Sequence, residues 1–391
     1  MSLFHWISGS ILGLAWFSRV VDAAFGMPKL SDITRPEFDR KPTTPAGDPR
    51  VSIVVPACNE EGTIERCLTQ LLELDYPHCE IIAVDDRSID RTGELMDQVA
   101  ASSRAAGRLK IIHIRELPSH WLGKTHAMWT AAKQATGDWI LFTDADVFFR
   151  PDTLRRAITY AEREKADHVV LFPYLIMHGV GEHMMIAFFQ SLFVFGHRPW
   201  KVADPKTKDH IGVGAFNLIR RGVYEQIGTY ERLRLEVLDD MKLGKVVKFS
   251  GFRQRNVFGH DLISIRWARG AMGVVRNLTK NFFSVMAFQW PRALGAIAVL
   301  GFLNLMPFLG VWLAHGPSRI PYIIALSSMF LIYAGMSWRS RIPPYYFFLH
   351  PISTLLFAYT MLRSMSLTLW KGGVEWRGTM YPLEELRKGL V

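Results

Sequence analysis

Cysteine is scarce in this chain, and Cys58, Cys67 and Cys79 are its only three in 391 residues. They lack metal-ligand spacing, which argues against a cysteine-built metal site and suits small core residues in the reduced cytosol. No recognised nucleic-acid-binding motif is present either. The formal net charge of +10 therefore points to other anionic partners, such as lipid headgroups and phosphates. The apolar stretch from Phe4 to Phe25 has no basic region before it and no small-x-small cleavage site, so an uncleaved anchor over residues 1–26 is expected. Arg19 and Asp22 interrupt its second half, and Arg19 can snorkel to cytoplasmic headgroups. Charge is also thin late in the chain, where Pro291 to Trp370 is mostly apolar.

That shift predicts a soluble domain over 51–290, membrane helices over 291–370 and a tail over 371–391, with 27–50 as a surface linker. Three stretches approach the ~20 residues that a bilayer requires: Ala293–Ala314, Ile320–Trp338 and Tyr345–Met361. Arg339 and Arg341 suit a cytoplasmic loop, and so do Lys371, Arg377, Arg387 and Lys388 in the tail. Three crossings from a cytoplasmic domain would instead place the tail outside. Either one stretch is re-entrant, or the tail is an exception to the charge rule. A Met- and aromatic-rich segment near 183–200 reads as an interfacial helix, with ordinary core packing as the alternative.

Within the soluble part, apolar runs alternate with amphipathic stretches. Val51–Pro56, Ile81–Val84, Leu109–Ile114 and Trp139–Thr143 read as strands of a parallel sheet. Between them, Ile64, Cys67, Leu68, Leu71 and Leu72 recur at helical spacing, and helices are expected near 93–101 and 125–135. Two of the strands run straight into acid: Val84 into Asp85-Asp86, and Thr143 into Asp144-Ala-Asp146. Ligands of open α/β sheets bind just beyond such strand ends. Adjacent carboxylates there repel and are costly to bury. A Mg²⁺ or Mn²⁺ ion that also binds substrate phosphates would resolve the conflict.

Taken in order, Val51-Ser-Ile-Val-Val-Pro-Ala-Cys-Asn-Glu-Glu, Val84-Asp-Asp-Arg-Ser-Ile-Asp90 and Asp144-Ala-Asp146 resemble the family 2 glycosyltransferases, which have a GT-A, Rossmann-like fold. The resemblance covers about Val51 to Lys280, and its membrane segments are like those of lipid- and polysaccharide-synthesising members, including ceramide-glucosyltransferase-like and hopanoid- or carotenoid-associated enzymes. It implies that Pro56, Asn59 and Glu60 hold the base and ribose, and that Asp85 and Asp86 contact the base and help position diphosphate or metal. Asp144 and Asp146 would form the DxD pair that binds ribose and metal. A capping turn accounts for Ser88 and Asp90 equally well. Lys124 is a phosphate contact or a solvated lysine. In Val237-Leu-Asp239-Asp240-Met-Lys-Leu243, alignment selects Asp240 as the base and Asp239 as the preceding acid. Gly212-Val-Gly214-Ala-Phe-Asn-Leu-Ile-Arg-Arg221 resembles the acceptor-site segment, with a simple turn before a strand as the alternative. Arg266-Trp267 matches the end of a Gln/Arg-x-x-Arg-Trp motif and would touch the diphosphate, unless it is an interfacial pair. Ile263 stands at that motif's first position, a departure that disfavours a processive polymer synthase.

The expected protein is an integral membrane enzyme of the inner or plasma membrane with a cytoplasmic catalytic domain. It would move a sugar, with inversion, from a nucleotide-diphosphate donor to the hydroxyl of a membrane lipid acceptor. UDP is the expected nucleotide and GDP an open alternative. A poly- or oligosaccharide synthase and a non-catalytic sugar-nucleotide-binding scaffold are the rival readings.

Overall fold

A computed structural model describes residues 2–40, 48–105 and 107–391; residues 41–47 of the expected linker lie outside them. The chain forms two compact units. One comprises Leu30–Ile176, Lys201–Arg266 and Glu375–Val391, and the other Met1–Lys29, Met177–Trp200 and Trp267–Val374. We call them the sheet unit and the helical unit.

The strands are β1 (Val51–Ala57), β2 (Cys79–Asp86), β3 (Leu109–Ile114), β4 (Trp139–Phe142), β5 (Val147–Phe149), β6 (His168–Phe172), β7 (Tyr174–Leu175), β8 (Asn217–Arg220), β9 (Gln254–Phe258), β10 (Ile263–Ile265), β11 (Gly373–Trp376) and β12 (Thr379–Pro382). Seven of them form the main sheet in the order β3-β2-β1-β4-β8-β6-β9. Alternate side chains enter opposite cores. Ile53, Val55, Ile81, Ala83 and Leu141 pack with the helices Ile64–Leu72 and Thr92–Ala100. Val54, Ile82, Val84, Ile140 and Phe142 pack with Gly123–Ala132 and Asp239–Phe249. Burial on both faces explains why these strands read as continuous apolar runs.

The parallel arrangement holds for β3-β2-β1-β4. It stops at β8, which is antiparallel to both β4 and β6. Asn217 opposes Phe142 at the carboxyl end of β4, so β8 begins where β4 ends. The reversal brings the 212–216 segment to the same sheet edge as Asp144. Residues 30–40 also differ from a plain surface linker. Ile33 and Phe38 are buried, Ile33 N donates to Phe258 O (2.9 Å), and Arg156 donates to the carbonyls of Ile33, Thr34 and Arg35.

Among the described residues of the helical unit, three helices are long and apolar enough to cross a membrane: Leu3–Lys29, Gly316–Ser340 and Pro344–Lys371. The stretch expected as a span over 293–314 is instead divided into Trp290–Asn304 and Met306–Leu313. Pro307 is the cause, because it has no N–H to offer the Leu303 carbonyl four residues back. The Trp16 indole supplies that bond at 3.0 Å. Upstream, Trp290–Asn304 turns by 120° from Gly270–Val285.

Side-chain registers fix the directions of these helices. Tyr322 bonds His5 and Ser8, while Tyr333, eleven residues on, bonds His350, whose ring meets Trp16. Ile320–Ser340 thus runs parallel to the N-terminal helix. His350 bonds Asn304 (3.1 Å), and Ser364 accepts from Phe283 N (2.9 Å), just before the bend. His350–Lys371 therefore runs antiparallel to Trp290–Asn304, beginning beside the end of that helix. Arg19 pairs with Asp22 (3.4 Å) and lies over the Phe195 ring.

Candidate active site at the carboxyl ends of the sheet

Two loops leave adjacent strand ends and zip together. Asn59 N donates to Ser88 Oγ (3.0 Å) and Ile89 N donates back to Asn59 Oδ1 (2.9 Å). Glu60 N donates to Thr92 Oγ1 (2.7 Å), and Glu61 N to Asp90 Oδ2 (3.2 Å). Asp90 also accepts from Thr92 N (3.0 Å), so its turn-forming and loop-linking roles coexist. Asn59 and Arg87 both take left-handed backbone, at φ 56° and 58°, conformations that rarely persist without support from their surroundings. Pro56 lies inside β1, opposite Val84.

Beyond β2, Asp85 and Asp86 are both buried but answer to different basic side chains. Asp85 accepts from Ser88 N (3.2 Å) and faces His113 Nδ1 (2.9 Å). The His113 ring reaches on to Asp97 (3.1 Å), and the Asp85 hydrogen bond is the main cause that raises its pKa above the ordinary value. Arg87 forks onto Asp86, with Nε 2.8 Å from Oδ1 and Nη2 3.1 Å from Oδ2. His113 and Arg87 were not singled out from the sequence; alternation along β3 places His113 next to Asp85 in register.

Asp144 and Asp146 follow β4. Burial, then the negative charge of Asp144 and Glu60, pushes the Asp146 carboxyl up to about 7. Lys124, in the first turn of Gly123–Ala132, lies 2.8 Å from Asp144 Oδ1 and 3.6 Å from Asp239 Oδ2. Burial works against its charge, but Asp144, Asp239 and Asp240 together hold it protonated. Among the described residues, no three His, Cys, Asp or Glu side chains form a metal cage. The residues do fit a divalent ion of another kind, held by one or two carboxylates and completed by substrate oxygens. Asp144 and Asp146 could hold such an ion, which would relieve the repulsion evident at Asp146.

Across from this pair, Asp239 and Asp240 open the helix Asp239–Phe249. Asp240 Oδ2 accepts from Gly214 N (2.8 Å) and Oδ1 from Met241 N (2.7 Å). Each oxygen keeps a second lone pair. Burial raises the Asp240 pKa, with Lys124 pulling the other way. A Cβ at Gly214 would sit 2.5 Å from Asp144 Oδ2, so a larger residue there would displace that carboxylate. Beneath the loop, buried Gln254 accepts from Ile211 N (3.1 Å) and donates to Ile211 O (2.9 Å). It also contacts His168 Nδ1 (2.9 Å), whose other nitrogen meets Asn217 Oδ1 (3.1 Å). This footing was invisible in the sequence, because its three members lie far apart in the chain.

The structure brings Glu60, Lys124, Asp144, Asp146, Asp239 and Asp240 into one electrostatically linked group. Arg266 closes a segment of the sheet unit, whereas Trp267 belongs to the helical unit, where its ring packs on Phe189 (5.3 Å). Ile263, at the departing motif position, is a fully buried residue of β10.

Residues 52–228 match the model described as Glycosyl transferase family 2. These residues form a family 2 glycosyltransferase domain. It is 22% identical over 234 residues to the 4,4'-diaponeurosporenoate glycosyltransferase of Staphylococcus haemolyticus, a match covering 59% of this chain and 60% of that protein. It is 31% identical over 162 residues to the Beta-monoglucosyldiacylglycerol synthase of Synechocystis sp., covering 41% and 33%. The matches thus span 60% or less of these relatives. Among solved structures, the mannosyltransferase PcManGT of Pyrobaculum calidifontis, in complex with GDP-Man and Mn²⁺, aligns over 94% of this chain and 99% of its own. The TM-score is 0.55 at 20% identity, a likeness of fold. The family 2 domain has a GT-A-like architecture.

Proposed function

We propose that this protein is an inverting glycosyltransferase that moves a sugar from a nucleotide-diphosphate donor to the hydroxyl of a membrane lipid. One observation carries the reading: a raised-pKa carboxylate, Asp240, stands across a lysine from a second carboxylate pair. A cation-binding pair and a separate base are what direct displacement at an anomeric carbon requires. Asp240 takes the proton of the acceptor hydroxyl as its oxygen attacks from the face opposite the leaving group. The backbone N–H groups of Gly214 and Met241 hold that carboxylate in position. A divalent ion at Asp144 and Asp146 would supply charge stabilisation to the departing diphosphate. Lys124 can serve the same phosphates from its place beside Asp144. An acceptor that was already ionised would need no base, so the Asp239-Asp240 pair favours a hydroxyl. Two named relatives carry lipid acceptors in their names, and the solved neighbour was complexed with GDP-Man and Mn²⁺.

The helix directions support a membrane orientation. The chain leaves the sheet unit after Arg266 and rejoins it at Glu375, so it must cross an even number of times in between. In this reading Trp290–Leu313 goes out as a broken span, Ile320–Ser340 returns, and His350–Lys371 enters from the side where it ends. The exposed aromatic residues Trp290, Trp338 and Trp370 then share one boundary, and Trp6 and Trp312 the other, as in aromatic belts. Arg292, Arg339, Arg341 and Lys371 share the first boundary, which the charge rule makes cytoplasmic. The catalytic unit and residues 375–391 then face the cytoplasm together.

The test is turnover of UDP- and GDP-sugars by the full chain in lipid nanodiscs, with Mn²⁺ and total membrane lipid. One labelled lipid should form, and Asp240→Asn should lower its rate by roughly 10²–10⁴-fold while nucleotide binding persists. A ladder of products would favour a polymer synthase. Nucleotide binding without any transfer, whatever lipid is supplied, would favour the scaffold.

A further inference from the structure

Residues 377–381 return to the loops after β1 and β2 from the far end of the chain. Arg377 Nη2 lies 2.8 Å from Glu60 Oε1, and Nη1 donates to Cys58 O at 3.1 Å. Arg87, while gripping Asp86, donates to Thr379 Oγ1 at 3.2 Å. Gly123 N donates to the buried Tyr381 hydroxyl at 3.0 Å. One short hairpin thus touches the loop after β1, the loop after β2 and the start of the helix that carries Lys124.

The turn of this hairpin is unusual in its residue choice. Arg377 and Gly378 form the two-residue connection, both at positive φ, 50° and 77°. Such turns favour Asn, Asp or Gly at the first position, and arginine there bears a steric cost. Asn59 and Arg87, on the loops it faces, are left-handed as well. Strained backbone of this kind concentrates where surrounding contacts, and function, demand a fixed geometry. Glu60 is the group that gains from the arrangement. It is partly buried among acidic neighbours, and Arg377 is the leading counter-cation against that burial. Its other oxygen, Oε2, is met by Thr63 Oγ1 at 3.3 Å, so the carboxylate is gripped from both sides.

Building on the glycosyltransferase reading, we infer that residues 375–382 form a wall of the donor site and that Arg377 is a positioning residue. It orients Glu60 to accept hydrogen bonds from the nucleoside part of a nucleoside-diphosphate sugar. The reacting atoms lie on the Asp144–Asp240 side of the group, so Arg377 governs donor capture and leaves the transfer step alone.

The test uses the full chain in nanodiscs, with UDP and GDP in the presence of Mn²⁺ as binding probes and the active sugar donor for kinetics. Arg377→Ala should raise nucleotide Kd and donor KM by roughly 10- to 100-fold, the size of a lost charge-assisted hydrogen bond, with kcat nearly unchanged. Arg377→Lys should recover part of the loss at an unaltered melting temperature. Glu60→Gln combined with Arg377→Ala should bind no worse than Glu60→Gln alone, because the two residues act as one. Wild-type affinity in Arg377→Ala, or a fall in kcat and melting temperature at constant KM, would overturn the inference. So would strictly additive losses in the double variant. Wild-type protein that binds neither nucleotide would overturn the glycosyltransferase reading itself, and is told apart by needing no variant.

Discussion

The helical unit and the sheet unit both bury polar side chains, but they settle them differently. In the helical unit one connected set of such groups closes on itself. Tyr333 bonds His350, His350 bonds Asn304, and the Trp16 indole takes the carbonyl that Pro307 leaves open. Nothing in that chain asks for a further partner, as burial away from water requires. At the sheet edge, by contrast, Asp144, Asp146, Glu60 and Asp240 crowd together. Lys124 and Arg377 meet only part of their charge, and three of the four carboxyls have raised pKa values. Satisfied polar groups hold a fold. Carboxylates kept in poor company mark where a cation and a substrate are expected, since mutual repulsion of this kind would otherwise be a pure cost.

Substitutions can break this contrast from either side. The largest effect is expected at the acidic edge, where Asp144→Asn, or chelation of divalent ions, should lower sugar transfer by about 10²-fold or more, and Asp144→Asn should leave the melting temperature of the metal-free protein little changed. Rates that survive chelation would remove the metal from the reading. A middling effect of the opposite kind is expected from Asn304→Leu. It strands the His350 ring and should cost about 1–3 kcal/mol of stability, read by thermal unfolding in detergent, while kcat per folded molecule stays the same. A fall in kcat with unchanged stability would show that this network reaches the chemistry.

The smallest effect is a pH dependence. Asp146 has a folded pKa of about 7 against an ordinary 3.8, so between those values the folded state binds more protons than the unfolded one. Stability of the metal-free protein should therefore fall as pH rises through that window. Glu60 and Asp240, also raised, push the same way. Mn²⁺ should raise the melting temperature more at pH 8 than at pH 5.5, and Asp146→Asn should flatten the difference. Equal Mn²⁺ shifts at both pH values would sink the idea.

How much of this was legible depended on sequence distance. The strands ending in Asp85-Asp86 and Asp144-Ala-Asp146 could be read because burial on both faces writes a local apolar run, and the acids follow at once. The face of Ile64–Leu72 was legible for the same reason, with all five marked positions buried. What escaped were features made by partners far apart. The reversal at β8 follows from where the 212–216 segment must land, which no local pattern encodes. The docking of Ile33 and Phe38 needs Arg156 and Phe258 to be seen, and Arg377 meets Glu60 across 317 positions. The break near residue 305 did leave a local sign, Pro307, which a count of apolar residues passes over.

The interleaving of the two units also constrains how the protein is made. Its sheet unit is assembled from Leu30–Ile176, Lys201–Arg266 and Glu375–Val391. No single cut or truncation can therefore release an intact catalytic half. As the ribosome works along the chain, the loops around Glu60 and Asp86 emerge long before Arg377 and Thr379, with the later helices that are long and apolar enough to cross a membrane synthesised in between. On the proposed reading the donor site stays unfinished until those helices have been made, so a nascent chain would lack the completed site with which to bind sugar nucleotide.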